Sequence, residues 1–356
     1  MTVAAPLWST VGLSANGMFA ERIGIDGKEV ALNRRLRVQA RQIYSFCAIG
    51  QLGWNGPWRE IVGGAVDIMI SRGRRGDGLF GHLFNHDGDL IKDSLDLYDH
   101  AFALFALAHA AKALDRPDLL DIAEQVQAKL DETWWRPEGG YWEGELTPCP
   151  PYRQNPHMHM YEAAMANDRA GGGPQWKGRY RKVGNLFASH FLDAESGAVT
   201  EYFDVNWRRL ADASGEIVEP GHCLEWAWLF EVTDEDGQGV AIAERLTAFA
   251  RRHGICPRRG VAINEVRRDG SIVDDGARLW PQTERLKAAM VRYKRTGHVS
   301  EVEEVVAAYR GLKLYLDTPV PGLWWDRLNA DGTFVEEAAP ASSFYHIVCA
   351  LNELLA

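Results

Sequence analysis

Residues 153–163 read RQNPHMHMYEA, with His157, His159 and Glu162 inside six positions; residues 220–229 read PGHCLEWAWL, with His222 and Glu225. Imidazole is the side chain whose ordinary pKa lies nearest neutrality, so such residues suit proton transfer. In HMYE and in HCLE the glutamate follows its histidine by three, which puts both on one helical face. A glutamate so placed can fix a tautomer, contact a substrate, or share a metal as in di-iron bundles. The metal reading needs further carboxylates converging from neighbouring helices. Acid/base work needs none, so neither metal nor redox cofactor is expected. His157 reads as a supporting or structural residue, and His82, His86, His190 and His253 as surface or structural ones.

These residues need elements to hold them, and the chain supplies a repeat. A glycine leading an extended, aromatic-rich stretch recurs at Gly17, Gly78, Gly140, Gly197, Gly260 and Gly322, with gaps of 61, 62, 57, 63 and 62. Several copies continue into Asp-Gly turns, at Asp26-Gly27, Asp87-Gly88, Asp269-Gly270 and Asp331-Gly332, so short β-hairpins are predicted. An apolar helix follows each hairpin, over about 31–50, 93–113, 155–170, 219–235, 278–294 and 340–355. Apolar residues almost all round mark these as buried. A more charged helix follows most of them, over about 58–73, 116–133, 175–191, 238–253 and 299–314. The sixth outer helix is missing at the end, and residues 4–15 could supply it by closing a ring. An open solenoid would carry polar caps instead. The expectation is therefore all-α: an (α/α)6 barrel of six helical hairpins with short β-hairpins in the loops, one domain over residues 1–356.

Counting from each glycine, Arg41, His100, His159, His222, Glu284 and His346 fall 19 to 25 residues on, one per inner helix. Unpaired burial of any one is costly, so a common level suggests a shared polar cavity; His100 fits least well. Pro156, Pro220 and Pro281 stand near inner-helix starts, with Asn155 as an N-cap. His159, His222 and Glu284 would then lie within about one turn of positive helix ends, which favour neutral imidazole and a bound anion.

Composition narrows the partners. The 356 residues are 46% hydrophobic and 25% charged, with a formal net charge of −10 and no long basic run, so nucleic acid is excluded as a partner. No stretch approaches the roughly 18 apolar residues of a membrane span. Five scattered cysteines without CxxC spacing, and an N-terminus unlike a secretion signal, point to a cytoplasmic chain. Thirteen Trp fit either an aromatic core or rings lining a sugar pocket.

RQNPHMHMYEA, PGHCLEWAWL, RLWPQTERLKA and SSFYHI, in that order, resemble the N-acylglucosamine 2-epimerase family, over roughly residues 30–350. That family contains sugar 2-epimerases and aldose–ketose isomerases such as mannose isomerase, and its fold is an (α/α)6 barrel. The resemblance implies acid/base roles for His222 and His346. It implies substrate contacts by Arg41, His159, Glu225 and the Trp280–Glu284 stretch, with Asn155 and Tyr98 added by analogy. The partner implied is a small-molecule sugar, the chain acting as monomer or homodimer.

The chemistry follows from an open-chain sugar. Loss of the C2 proton gives an enediolate. Reprotonation at C1 yields the ketose, and reprotonation on the other face of C2 yields the epimer. The NPHMHMYEA form looks more like the mannose-isomerase branch, so an aldose–ketose isomerase is expected, with a sugar 2-epimerase of N-acylglucosamine, glucose/mannose or cellobiose type as the alternative. A glycoside hydrolase using Glu225 and Glu284, and a non-catalytic sugar-binding protein, are the remaining readings. Arg153, Lys177 and Arg179 could meet a phosphate but read better as a solvated helix face.

Overall fold

The structure, a computed structural model, describes residues 2–355. Among them are twelve α-helices: α1 (Ala4–Thr10), α2 (Leu36–Gln51), α3 (Trp58–Gly73), α4 (Leu97–Leu114), α5 (Asp118–Thr133), α6 (Asn155–Arg169), α7 (Gln175–Leu186), α8 (Pro220–Thr233), α9 (Gln238–His253), α10 (Leu279–Thr296), α11 (Val299–Leu316) and α12 (Ser342–Leu355). Expected inner and outer helices are all present. The charged helix expected over 175–191 ends at Leu186 and continues as a π turn, Phe187–Phe191.

Each predicted hairpin forms, and its glycine is needed there. Gly17, Gly78, Gly197, Gly260 and Gly322 all adopt positive φ, between 69° and 95°, where a side chain is disfavoured. In the third repeat the equivalent turn is at Gly139, not Gly140: its N–H bonds Arg136 C=O, as Gly78 N–H bonds Arg75 C=O. The fourth repeat hides a second turn, because Trp207 stands at φ 56° where other repeats have glycine. A left-handed non-glycine costs about 1–3 kcal/mol. Burial of that indole against Phe191 and Phe203, at ring distances of 5.3 and 6.1 Å, opposes the cost.

A second repeated device fixes each hairpin to its inner helix. The N–H two residues past the hairpin glycine donates to a side chain of that helix: Phe19 to Gln39 Oε1 (2.8 Å), Phe80 to His100 Nε2 (3.0 Å), Tyr141 to His157 Nε2 (2.9 Å) and Ala262 to Gln282 Oε1 (2.7 Å). A hairpin N–H buried in this way would cost about 1–3 kcal/mol if left unpaired.

Contacts gather the chain into two compact units. The first runs through Ala188 and includes Pro340–Tyr345. In it α2, α4 and α6 pack side by side, each with its following helix α3, α5 or α7 behind it. Here α1 meets the start of α12, Trp8 stacking on Phe344 at 5.8 Å. The second holds Ser189–Ala339 and continues from His346. In it α8 packs on α10, with α9 and α11 behind them. No helix among the described residues is long and apolar enough to cross a membrane.

Candidate active site

Four expected residues belong to the first unit. Arg41 projects from α2 into a ring of aromatics: Phe102 at 4.1 Å, Tyr345 at 5.2 Å and Tyr98 at 5.5 Å from its guanidinium carbon. It donates to the Tyr98 hydroxyl at 2.6 Å. Flat apolar faces hold the cation without neutralising it. His159, from α6, sits 4.6 Å from Phe102 and meets Tyr98 edge-on at 5.0 Å. Its Nδ1 lies 3.1 Å from Glu162 Oε2, the i+3 pair expected from HMYE. The Tyr345 hydroxyl donates to Glu162 at 2.6 Å. Asn155 is not the N-cap of α6; Gln154 occupies that place and Asn155 is the first helical residue. Its buried Oδ1 has no hydrogen-bond partner among the described residues, leaving an acceptor for a hydroxyl.

The other five belong to the second unit, and here the two expected acid/base histidines come together. Trp280, from the first turn of α10, has His222 of α8 at 4.9 Å and His346 of α12 at 5.8 Å, measured between ring centroids. Each imidazole is held at Nδ1 by a carboxylate: His222 by Glu201 Oε2 at 3.0 Å, and His346 by Glu284 Oε1 at 2.9 Å. An Nδ1–H so engaged places the lone pair of a neutral ring on Nε2. Glu225, Glu284 and His346 bring one polar atom each to within 4.8 Å of one another, all buried.

The electrostatics separate the two rings. Burial alone would lower the pKa of His222, but Glu201, and then Glu219, act in the opposite direction and raise it to about 10. The expectation that helix N-termini would keep this histidine neutral is therefore overturned: nearby full charges outweigh a partial helix charge. Glu219 pays part of that arrangement, pushed up to about 7 by its own burial. Glu284 lies in the second turn of its helix rather than the first. Burial opposes its ionisation, yet Lys287 and His346 draw its pKa down to about 2. Lys287 Nζ is 2.7 Å from Glu284 Oε2, both side chains fully buried, and its ammonium lies 3.9 Å from the Trp228 ring.

Of the carboxylate–histidine groups with the spacing of metal ligands, three have a protein cation against a carboxylate. Lys287 pairs with Glu284 in the group of Glu225, Glu284 and His346; the raised His222 pairs with Glu201 and Glu219; Arg37 lies 3.7 Å from Asp96 and 3.3 Å from Asp99 in the group with His82.

His100 leaves the site set. Fully buried, it accepts the Phe80 N–H at Nε2 and holds Asp96 C=O at 2.7 Å with Nδ1, so both ring nitrogens serve the hairpin. The residues of α4 that reach Arg41 and His159 are Tyr98 and Phe102, two positions to either side of it. His157 has the same structural duty at Tyr141. Arg153 pairs with Glu143 at 2.6 Å and Arg179 with Glu124 and Asp131, so neither is a bare cation. Sequence reasoning missed Glu201, Lys287 and Tyr345. For Glu201 a signal existed: the fourth residue past the hairpin glycine is Glu21, Glu143 and Glu201 in three repeats. Each of these accepts the N–H at its inner helix's entrance, from Arg35, Arg153 and Glu219.

With this geometry in place, comparison with known proteins identifies the family. The pattern of N-acylglucosamine 2-epimerase (GlcNAc 2-epimerase) matches residues 17–350. The chain belongs to this family. A relative named mannose-6-phosphate isomerase, from Rhizobium meliloti (strain 1021), is 41% identical over 99% of this chain and 93% of its own length. Among solved structures, a D-mannose isomerase matches with a TM-score of 0.91 at 20% identity, covering 99% of this chain and 95% of that one. A cellobiose 2-epimerase from Bacillus thermoamylovorans B4167 matches at 0.88 with 18% identity, covering 99% and 96%. The fold expected from the six-fold repeat, an all-α (α/α)6 barrel, is the fold of this family.

Proposed function

We propose that this family member is an aldose–ketose isomerase of the mannose/fructose type, working through an enediolate with His346 and His222 as its proton-transfer pair. The coarser statement, that the chain is a sugar isomerase or epimerase, follows from its family and relatives. The observation that carries the finer one is the pair of imidazoles set against a single indole, each fixed at Nδ1 by its own carboxylate.

In this reading His346, oriented by ionised Glu284, takes the C2 proton of the open-chain sugar through Nε2 and returns it to C1. His222, kept cationic by Glu201, gives its proton to O1 as negative charge develops there and takes the O2 hydroxyl proton as C2 becomes the ketone carbonyl, ending protonated as it began. Trp280 is the apolar floor on which the reacting carbons rest. Arg41, Tyr98, Asn155 and His159 are assigned to the sugar's oxygens, and Glu225 to a hydroxyl. The whole chain is proposed to act as one catalytic domain. A glycosidase would need one of Glu225 and Glu284 as a proton donor; Glu284, held at about 2, cannot serve.

Proton NMR of mannose, mannose 6-phosphate, glucose and cellobiose in deuterated water, each with the enzyme, tests this. Conversion of mannose or its phosphate to the ketose, with deuterium entering the product, is the expected result, and His346→Ala and His222→Ala each lower turnover by ~10²–10⁴-fold. Epimer as sole product would favour the 2-epimerase alternative. Absence of turnover with every sugar would defeat both.

A further inference from the structure

The two proton-transfer rings do not face equal carboxylate charge. Glu284 Oε1 holds His346 at 2.9 Å, but the other oxygen of that carboxylate is taken by Lys287 at 2.7 Å. His222 has two carboxylates on one nitrogen: Glu201 Oε2 at 3.0 Å and Glu219 Oε1 at 3.8 Å from Nδ1. Glu225 acts on both rings and so does not distinguish them.

Glu201 and Glu219 act on His222 in different ways. Glu201, buried and at 3.0 Å, accepts the Nδ1–H and fixes the ring. Glu219, at 3.8 Å, is beyond hydrogen-bond reach and acts through its charge alone. Its backbone is anchored independently of that charge: its N–H donates to Glu201 Oε1 at 3.3 Å, and its C=O accepts the N–H of His222 at 3.0 Å. Glu219 is the N-cap of α8, yet its side chain caps none of that helix's N–H groups. Besides His222, the charged groups facing it are Glu201, Arg278 at the N-cap of α10, and Glu265 in the strand that pairs with Ile217–Val218. Arg278 is half exposed and also lies 3.8 Å from Asp326, so it does not cancel the two glutamates.

The two possible products leave these rings in different states. To form the ketose, His346 carries the C2 proton to C1, while His222 gives one proton to O1 and takes one from O2. Both rings end as they began. To form the epimer, His346 takes the C2 proton and His222 delivers its Nε2 proton to the opposite face of C2. That route ends with His346 protonated and His222 neutral between two carboxylates. Carboxylate charge on His222 therefore opposes the epimer and is balanced over the ketose cycle. We propose that Glu219 is a specificity-determining positioning residue: as the second carboxylate beside His222, it keeps that ring's proton from being left on carbon, so the enediolate proceeds to the ketose. This rests on the isomerase reading above.

Proton NMR of the initial products from mannose or mannose 6-phosphate, whichever the wild type turns over, tests this. The wild type is expected to give ketose with little epimer. Glu219→Gln removes the charge and keeps the shape. Glu219→Ser removes the charge and offers α8 a capping hydroxyl, so the helix loses nothing at its start. In both variants the epimer share of the product rises ~10-fold, and the alkaline limb of kcat/KM moves down by ~1 pH unit. Glu219→Asp, which keeps the charge, stays near wild type in both respects. Ketose from the wild type, with an unchanged product ratio in both neutral variants, overturns this inference alone. So does an equal change in Glu219→Asp, which would make Glu219 a packing residue. Epimer as the main wild-type product, or no turnover at all, overturns the isomerase reading and this inference with it.

Discussion

Lys287 Nζ lies 2.7 Å from Glu284 Oε2 in a place where neither side chain touches solvent. The other oxygen of that carboxylate holds His346, so a buried ammonium stands one residue behind the proposed base. Glu225 faces the same group from α8, and Trp228 caps the ammonium from the same helix. Lys287→Met keeps the volume and removes the charge. Without its competitor, Glu284 holds the His346 imidazolium more tightly. The acid limb of the kcat profile is then expected to move to higher pH, with kcat near neutrality falling by ~10-fold and KM changing less. An acid limb that stays in place while the variant merely melts lower would reduce Lys287 to a packing residue.

Glu201 does for His222 what Glu284 does for His346, but with a net gain of charge on the ring. In Glu201→Gln the strongest influence opposing burial is gone, so the pKa of His222 falls from about 10 toward its ordinary 6.5. The alkaline limb of kcat/KM is expected to move down with it, leaving the variant closest to wild type on the acid side. Stability moves with the same sign. A histidine whose pKa is raised by folding contributes fully below 6.5 and loses that contribution as pH rises through about 10. The melting difference between wild type and Glu201→Gln should therefore be largest below about pH 6.5 and shrink as pH rises from there to about 10. A constant difference would mean that the pair is not ionic.

His100 offers the opposite signature. His100→Leu leaves the buried Phe80 N–H without an acceptor, which costs about 1–3 kcal/mol. Thermal melts should drop by several degrees, while turnover per folded molecule and its pH profile stay at wild-type values. A loss of kcat without a loss of stability would return His100 to the site.

Chelation tests the carboxylate–histidine groups directly. Three of them already hold a protein cation, so dialysis against a strong chelator is expected to leave turnover unchanged, and added Mn²⁺ or Zn²⁺ to give no gain. A chelator-dependent loss restored by one metal would overturn the acid/base reading of Glu284 and His346.

The six-fold period, the helices and most hairpins were legible in the sequence because their causes are local. Only glycine suits the turn conformation at Gly17 or Gly78, and a buried helix must be apolar on every side, as α4 is. Where the local signal failed, so did the reading: Trp207 sits in a glycine's conformation with no Asp-Gly to announce it. The family, the candidate histidines and the HMYE and HCLE spacings were legible too, since residues three apart on a helix share a face whatever the tertiary structure. Tertiary structure alone decided which polar residue in each repeat does which work. His100 and His159 have similar sequence settings, yet one is consumed by a hairpin N–H and the other stands among Tyr98, Phe102 and Glu162. It also decided that His222 carries a proton, because Glu201 lies 21 residues away along the chain and 3.0 Å away in space. A charge state depends on distances between groups, and composition and spacing do not fix those until the chain has packed.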